Sequence, residues 1–415
     1  MKKALFVLSG NLSTTPRAVK AIQSMPLGTT CELILVNRDD EWKKKDKEII
    51  NFLGIKTNYV ELGRDPFLPW FKASLYQKLA TFVYRIKPKS ELINAYLSNK
   101  SSIVLWEYLK KQDYSYIDLI IGHSSGSLYP GFRLSSVINK PFVFDVEDYH
   151  PGESIAFDAE NEKQRREFLM QALLPKVSAV TFASPLIEKY TKTLVGNLNN
   201  SDTVLNGFNS DEFVFFEPKK TNVGLKLVWF SQKVSFGRGL EQLFEAFIIL
   251  NESQPEIDLE LTLIGEMDLE FQNKVINPLV LQLKDSKIQF FIKKALQQKE
   301  LHAEVCRYDV GLALEFDSRD LNRQICLTNK IITYAQAGLY ILATDTKAQD
   351  QFIGENPELG VLSQQSSQNL ADTLLSLCQN ASQIKAQKQK RFNLGKKLSW
   401  DQEQEKLKSI WQQIL

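Results

Sequence analysis

Leu225-Lys226-Leu227-Val228-Trp229-Phe230-Ser231-Gln232-Lys233-Val234-Ser235-Phe236-Gly237-Arg238-Gly239-Leu240-Glu241-Gln242-Leu243-Phe244-Glu245-Ala246-Phe247 is the stretch that decides the fold. Its apolar opening predicts a buried strand that ends near Phe230. A loop then presents Lys233 and Arg238, and a helix is expected from about Gly239. Two cations beside the positive end of a helix make a seat for a diphosphate. A second helix start, Asn329-Lys330 after Thr328, has the same character. Together they point to an activated, phosphate-bearing small molecule.

Outward from this unit, short apolar runs alternate with helical patterns along the whole chain. Expected strands in the first half are Ala4–Leu8, Cys31–Val36, Thr57–Leu62, Leu119–Ile121, Phe142–Asp145 and Ala179–Phe182. In the second half they are Leu225–Phe230, Leu259–Ile264, Ile288–Phe291, Val310–Leu314 and Tyr340–Ala343. Continuous apolar runs are the mark of strands buried on both faces, and βα alternation implies parallel sheets covered by helices. The fold class expected is α/β, with two Rossmann-like, doubly wound parallel-sheet domains. Turn and linker residues gather between 195 and 222: Gly196, Asn197, Asn199, Asn200, Ser201, Asp202, Gly207, Pro218, Lys219 and Lys220. The expected division is 1–200, 201–390, and a C-terminal helix within 391–415 that returns toward the first domain. In that tail Ser399 is a cap ahead of acidic residues, and Leu407, Ile410, Trp411 and Leu415 follow at helical spacing.

The chain has 415 residues, too many for one ordinary core. A net charge of +2 supplies no global attraction to nucleic acid, and none is expected as a partner. The cysteines, Cys31, Cys306, Cys326 and Cys378, are scattered and form no C-x-x-C pair, which fits small buried hydrophobes in a reducing compartment. The apolar run Ala4–Leu8 is shorter than the core of a signal peptide and lacks a cleavage site. No stretch is apolar for long enough to cross a bilayer. A cytoplasmic location follows as the expectation, with contact at the inner face of a membrane left open. There is no clustered His/Cys set for a metal and no G-x-G-x-x-G loop for a dinucleotide.

Several segments, in order, resemble the retaining glycosyltransferases of GT-B architecture, most of all the family 4 group. Thr203-Val204-Leu205-Asn206-Gly207-Phe208-Asn209-Ser210-Asp211-Glu212-Phe213 resembles the interdomain "I-P-N-G-V-D…F" segment. Phe230-Ser231-Gln232-Lys233 through Arg238-Gly239 resembles "V-G-R-L…K-G", with Lys and Arg exchanged and their separation kept. Leu263-Ile264-Gly265 resembles "L-x-I-G", and Tyr308-Asp309-Val310-Gly311-Leu312-Ala313 resembles "A-D-V-x-L-x-P". Asn329-Lys330-Ile331-Ile332-Thr333-Tyr334-Ala335-Gln336-Ala337-Gly338-Leu339 resembles "N-K-…-E-Y-…-A-G-L-P".

The resemblance implies two facing domains, the first for an acceptor and the second for a nucleotide-sugar donor, with reaction in the cleft as it closes. It implies donor contacts at Ser231, Gln232, Lys233, Arg238, Gly265, Glu315, Asn329 and Lys330, and no cofactor or bound metal beyond the nucleotide-diphosphate sugar itself. The family's Glu-x7-Glu pair is absent: Thr333 stands at the second position and Ile325 at the first. Glu315 is the nearest carboxylate, with Asn322 in the connecting loop. On the first domain, His123 follows one strand, and Glu147, Asp148 and His150 follow the next, which places them on one rim of the sheet. Asp145-Val146-Glu147-Asp148-Tyr149-His150 resembles "Y-D-A-H-E", with Glu147 where the family has its histidine and His150 displaced. Glu147 and Asp148 are the candidate carboxylates, with His123 and His150 as alternatives. Arg17, in Ser13-Thr14-Thr15-Pro16-Arg17, resembles the early "P-R" segment; it contacts either an acceptor phosphate or a carboxylate.

Residues 64–89 carry Phe71, Leu75, Leu79, Phe82, Val83 and Ile86 on one helical face, with Lys72, Lys78, Arg85, Lys87 and Lys89 around it. Two readings stand: an anionic membrane surface near a lipid-linked acceptor, or a domain helix laid on its sheet. The expected activity is transfer of a sugar from a nucleotide donor to a hydroxyl of a saccharide or lipid-linked glycan. A nucleotide-sugar 2-epimerase of the same fold and a catalytically silent glycan- or nucleotide-binding partner are the alternatives.

Overall fold

The computed structural model describes residues 1–198, 200–218, 224–315 and 320–415; Asn199, Lys219 and Lys220 of the expected linker lie outside them. The chain divides into two compact units. The first comprises Met1–Leu205, Asp320–Asn322 and Gln404–Leu415, and the second Asn206–Arg319 and Arg323–Glu403.

The first unit is built on a sheet of β1 (Lys3–Leu8), β2 (Thr30–Asn37), β3 (Lys56–Glu61), β4 (Leu119–His123), β5 (Phe142–Val146), β6 (Ala179–Phe182) and β7 (Ser201–Thr203). Their order is β3-β2-β1-β4-β5-β6-β7, with every pairing parallel. The second unit holds β8 (Leu225–Val234), β9 (Leu259–Met267), β10 (Ile288–Lys293), β11 (Val310–Ala313), β12 (Tyr340–Thr344) and β13 (Gly360–Ser363). Their order is β10-β9-β8-β11-β12-β13, again parallel throughout. Both units are therefore doubly wound, as the alternation of runs predicts.

Each apolar run is a strand because helices cover both faces of the sheet. Ala4 to Leu8 are fully buried, and so are Leu227, Val228 and Trp229 of β8. The core of the second unit locks β8, β9 and β11 to the helix Leu240–Ser253 through Leu243, Phe244, Phe247 and Leu250. Pro16 opens the helix Pro16–Gln23 at its first turn, where a missing N–H costs nothing. Two edge strands are absent from the sequence reading. Ser201-Asp202-Thr203 has no apolar side chain, and Gly360-Val361-Leu362-Ser363 has only two. Both are added by backbone pairing to a neighbour already in place.

Strand β8 does not end near Phe230, as the sequence leads one to expect, but runs on to Val234, with a register shift between Phe230 and Lys233. Lys233 is thus a strand residue opposite Glu266, rather than a loop residue.

Candidate active site

In doubly wound sheets ligands gather outside the carboxyl ends of the strands, where the strand order reverses. In the second sheet that point lies between β8 and β11. A cavity of 380 Å³ opens there, lined in part by Ser231, Gln232, Arg238, Glu315, Asn329 and Lys330. Arg238 reaches it because the loop is held open by glycine on either side. Gly237 and Gly239 have φ of 71° and 78°, values that side chains with a Cβ rarely adopt. Gly237 N–H donates to Glu241 Oε1 at 2.7 Å, which ties the loop to the first turn of the helix it precedes.

Lys330 supplies the second cation. It sits in the first turn of the helix Asn329–Gln336, against the helix dipole, and is only 9% exposed. Its Nζ lies 3.4 Å from Glu315 Oε1 and 5.2 Å from the Trp229 ring centroid. Burial lowers its pKa; Glu315 opposes this, while Arg238 and Arg323 add to it. A buried ammonium at the wrong end of a helix and near further cations violates local stability rules, a pattern typical of functional sites. Thr328, the cap residue of this helix, also lines the cavity, and its buried hydroxyl has no partner among the described residues. Asn329 accepts from Asn206 Nδ2 at 2.8 Å through its side-chain oxygen.

Two expected donor contacts are placed elsewhere. Lys233 Nζ is 2.6 Å from Asp268 Oδ2, with a side chain 59% exposed, and it does not line the cavity. The strand carries it past the site and Asp268 neutralises it, so the cation pair of the cavity is Arg238 with Lys330. Gly265 does not line the cavity either; a Cβ there would stand 2.3 Å from Ser231 O. Its role is to let β9 approach the kinked part of β8. Thr333 and Ile325, at the positions of the absent glutamates, are fully buried.

On the first unit, Arg17 is 7% exposed and grips Asp145 with both prongs. Nε donates to Oδ2 at 2.7 Å and Nη2 to Oδ1 at 2.6 Å, while Nη1 donates to Val204 O at 2.7 Å. Thr181 Oγ1 donates to Asp145 Oδ1 at 2.6 Å. Burial pushes the Asp145 carboxyl up, but Arg17 and His123 outweigh it and hold it well below the usual range. Of the two readings of Arg17, the structure supports the carboxylate. A guanidinium so engaged is a strut of the sheet rim, and removing one partner of such a pair costs about 3–5 kcal/mol.

His123 is 2% exposed, stacks on Phe6, and keeps Nδ1 3.3 Å from Asp145 Oδ2. Its ring is buried at the sheet rim, where neither nitrogen makes a hydrogen bond among the described residues. Asp148 accepts from Asn322 Nδ2 at 2.8 Å, and the Asn322 side-chain oxygen accepts from Tyr149 N–H at 2.7 Å. Asn322 thus ties Asp148 Oδ1 to the backbone of the same loop. His150 Nδ1 lies 3.2 Å from Glu153 Oε1, and the ring lines a separate cavity of 50 Å³. Glu147 differs from all of these. It is half-buried and makes no hydrogen bond or ion pair among the described residues. Burial raises its pKa from 4.5 to about 7; Arg17 and His150 pull it down, and Asp145 and Asp148 push it up. An unengaged carboxyl that titrates near neutrality at a strand end suits proton transfer.

No family model matches the chain, and no curated protein matches it. Solved structures do. HepE from Anabaena, in complex with UDP, aligns over 100% of this chain and 98% of its own, with 13% identity and a TM-score of 0.66. The fold is GT-B. A glycosyltransferase from Rickettsia africae ESF-5 aligns over 100% and 98%, at 15% identity and a TM-score of 0.62. A putative UDP-N-acetylglucosamine 2-epimerase from Listeria monocytogenes aligns over 94% and 91%, at 11% identity and a TM-score of 0.53.

Within this GT-B chain, sequence reasoning misses the apolar wall of the cavity, which includes Ala295, Leu296 and Leu301. The segment follows β10, so the strand-end rule was the available signal. It also misses Ser124, the residue after β4, at the point where the first sheet reverses order. Its φ of 67° is unusual for a residue with a side chain, and such strain concentrates at functional sites. Among the described residues no group of three or more His, Cys, Asp or Glu is placed to hold a metal ion.

Proposed function

We propose that this protein transfers a sugar, with retention and without a bound metal, from a nucleoside-diphosphate sugar to a hydroxyl of a saccharide or lipid-linked glycan. The observation that carries the proposal is the cation pair Arg238 and Lys330, at the starts of two different helices, lining one 380 Å³ cavity. Cleavage of the sugar–phosphate bond leaves negative charge on the departing diphosphate. Arg238, Lys330 and the free N–H groups of the helix start would stabilise it, and in many enzymes such preorganised charge lowers the barrier more than any other effect. The apolar wall suits one face of a nucleobase. Glu147 is the first-unit group we assign to proton transfer.

The test is a thermal-shift series with UDP, GDP and ADP, followed by transfer assays with the nucleotide that binds. A ligand held only by the folded state raises the melting temperature. Arg238→Ala and Lys330→Ala should abolish the shift, and Arg238→Ala should lower kcat/KM by ~10²-fold. If none of the three nucleotides shifts the wild type at millimolar concentration, the diphosphate assignment is wrong. The absent Glu-x7-Glu pair favours a second reading, a nucleotide-binding partner without catalysis. Binding with neither sugar transfer nor release of free sugar would select it.

A further inference from the structure

The helix Phe67–Tyr84 and the turn after it leave a long apolar stripe uncovered. Leu68, Phe71, Leu75, Leu79, Phe82 and Ile86 follow one another at spacings of three and four, and each is between 48% and 71% exposed. At 100° per residue these positions fall on one narrow face. The opposite face is already used. Ala73 and Ala80 are buried, Gln77 Nε2 donates to Leu97 O at 2.9 Å, and Ser74 Oγ accepts from Lys100 Nζ at 3.0 Å. The stripe is therefore not the side by which the helix joins its own unit. Contiguous exposed apolar surface of this kind marks an interaction site.

Charge identifies the occupant. On the same projection Lys72 borders the stripe on one side, and Lys78 and Arg85 border it on the other. Lys87 and Lys89 follow directly, and from Pro66 to Ser90 the chain has no acidic residue. The acids that line the adjoining 630 Å³ cavity are Glu61 and Glu107, paired with Lys43 and Lys110. An apolar stripe edged by cations matches the boundary between acyl chains and anionic headgroups. No helix among the described residues is long and apolar enough to cross a bilayer, so the contact lies in the plane of the surface.

We propose that the first unit docks on an anionic phospholipid surface through Leu68, Phe71, Leu75, Leu79, Phe82 and Ile86, with Lys72, Lys78 and Arg85 on the headgroups. This stands whether or not the chain transfers sugars. The experiment is flotation of the full chain with vesicles of phosphatidylcholine, alone or mixed with phosphatidylglycerol. The wild type should float with the mixed vesicles, less with the neutral ones, and less again in high salt. Lys78→Glu with Arg85→Glu should weaken partition by about 30-fold or more, since each basic side chain near such a surface contributes severalfold. Leu79→Ser with Phe82→Ser should weaken it by at least about 10-fold. All four sites are exposed, so the melting temperature serves as the folding control. Failure of the wild type to float overturns the proposal, as does normal flotation of the serine variant. So does a wild-type dimer in sedimentation that dissociates in the serine variant, because a second copy would then cover the stripe.

Discussion

At the scale of single residues, the first unit shows how neighbours separate groups that look alike in sequence. Asp145, Glu147 and Asp148 are three carboxylates in four positions. Asp145 is engaged by Arg17 and Thr181, and Asp148 by Asn322, while Glu147 has no partner among the described residues. Which of them is free depends on residues far away in the chain, so no local reading distinguishes them. The raised pKa of Glu147 has a testable sign. Below pH 4.5 the carboxyl is protonated both folded and unfolded. Between 4.5 and about 7 the unfolded chain releases a proton that the folded chain keeps, so stability falls as pH rises. Above 7 the loss is complete, on the order of 1–3 kcal/mol. Glu147→Gln removes this dependence. Its melting temperature should gain on the wild type at pH 8 and not at pH 5. An equal difference at both values would show that the carboxyl titrates normally.

At the scale of elements, each apolar run expected to be a strand is one, because burial on both faces of a parallel sheet favours such runs. The ends of strands are less legible. Ser231-Gln232-Lys233 is polar and looks like a loop, yet β8 continues through it. The cause is β9, whose Gly265-Glu266-Met267 continues alongside. This extension moved one expected cation out of the cavity, and Lys330, brought from the far side of the switch point, takes its place. The pairing depends on Gly265. Gly265→Ala would set a methyl 2.3 Å from Ser231 O, and backbone cannot yield as a flexible side chain does. The variant should lose about 1–3 kcal/mol and bind nucleoside diphosphates more weakly than the wild type, read by thermal unfolding with and without the nucleotide. Unchanged stability would mean that β8 and β9 separate there at little cost.

At the scale of the whole molecule, the two sheets share one winding order around their switch points, although the sequence has no internal repeat. Common architecture without common residues follows when burial patterns, not particular side chains, specify a sheet. The chain does not keep its halves in sequence order. Within the helix Trp400–Ile414, Gln404 onward belongs to the first unit. Trp411 is 1% exposed and donates from Nε1 to Ser24 Oγ at 3.0 Å, and Lys406 Nζ donates to Thr203 O at 2.9 Å. Trp411→Ala should cost the first unit about 3–5 kcal/mol. Hydrogen exchange resolved by segment is the suitable measurement, because a two-unit chain has no single unfolding transition. Exchange should accelerate in Pro16–Gln23 and leave β8 to β13 unchanged; equal acceleration in both units would contradict the assignment.

That return of the chain bears on how the protein is made. During translation the first sheet leaves the ribosome early, but the tryptophan that seals its flank arrives only after the entire second unit has been synthesised. Until then Ser24 and the apolar surface around it stay open to water and to other nascent chains.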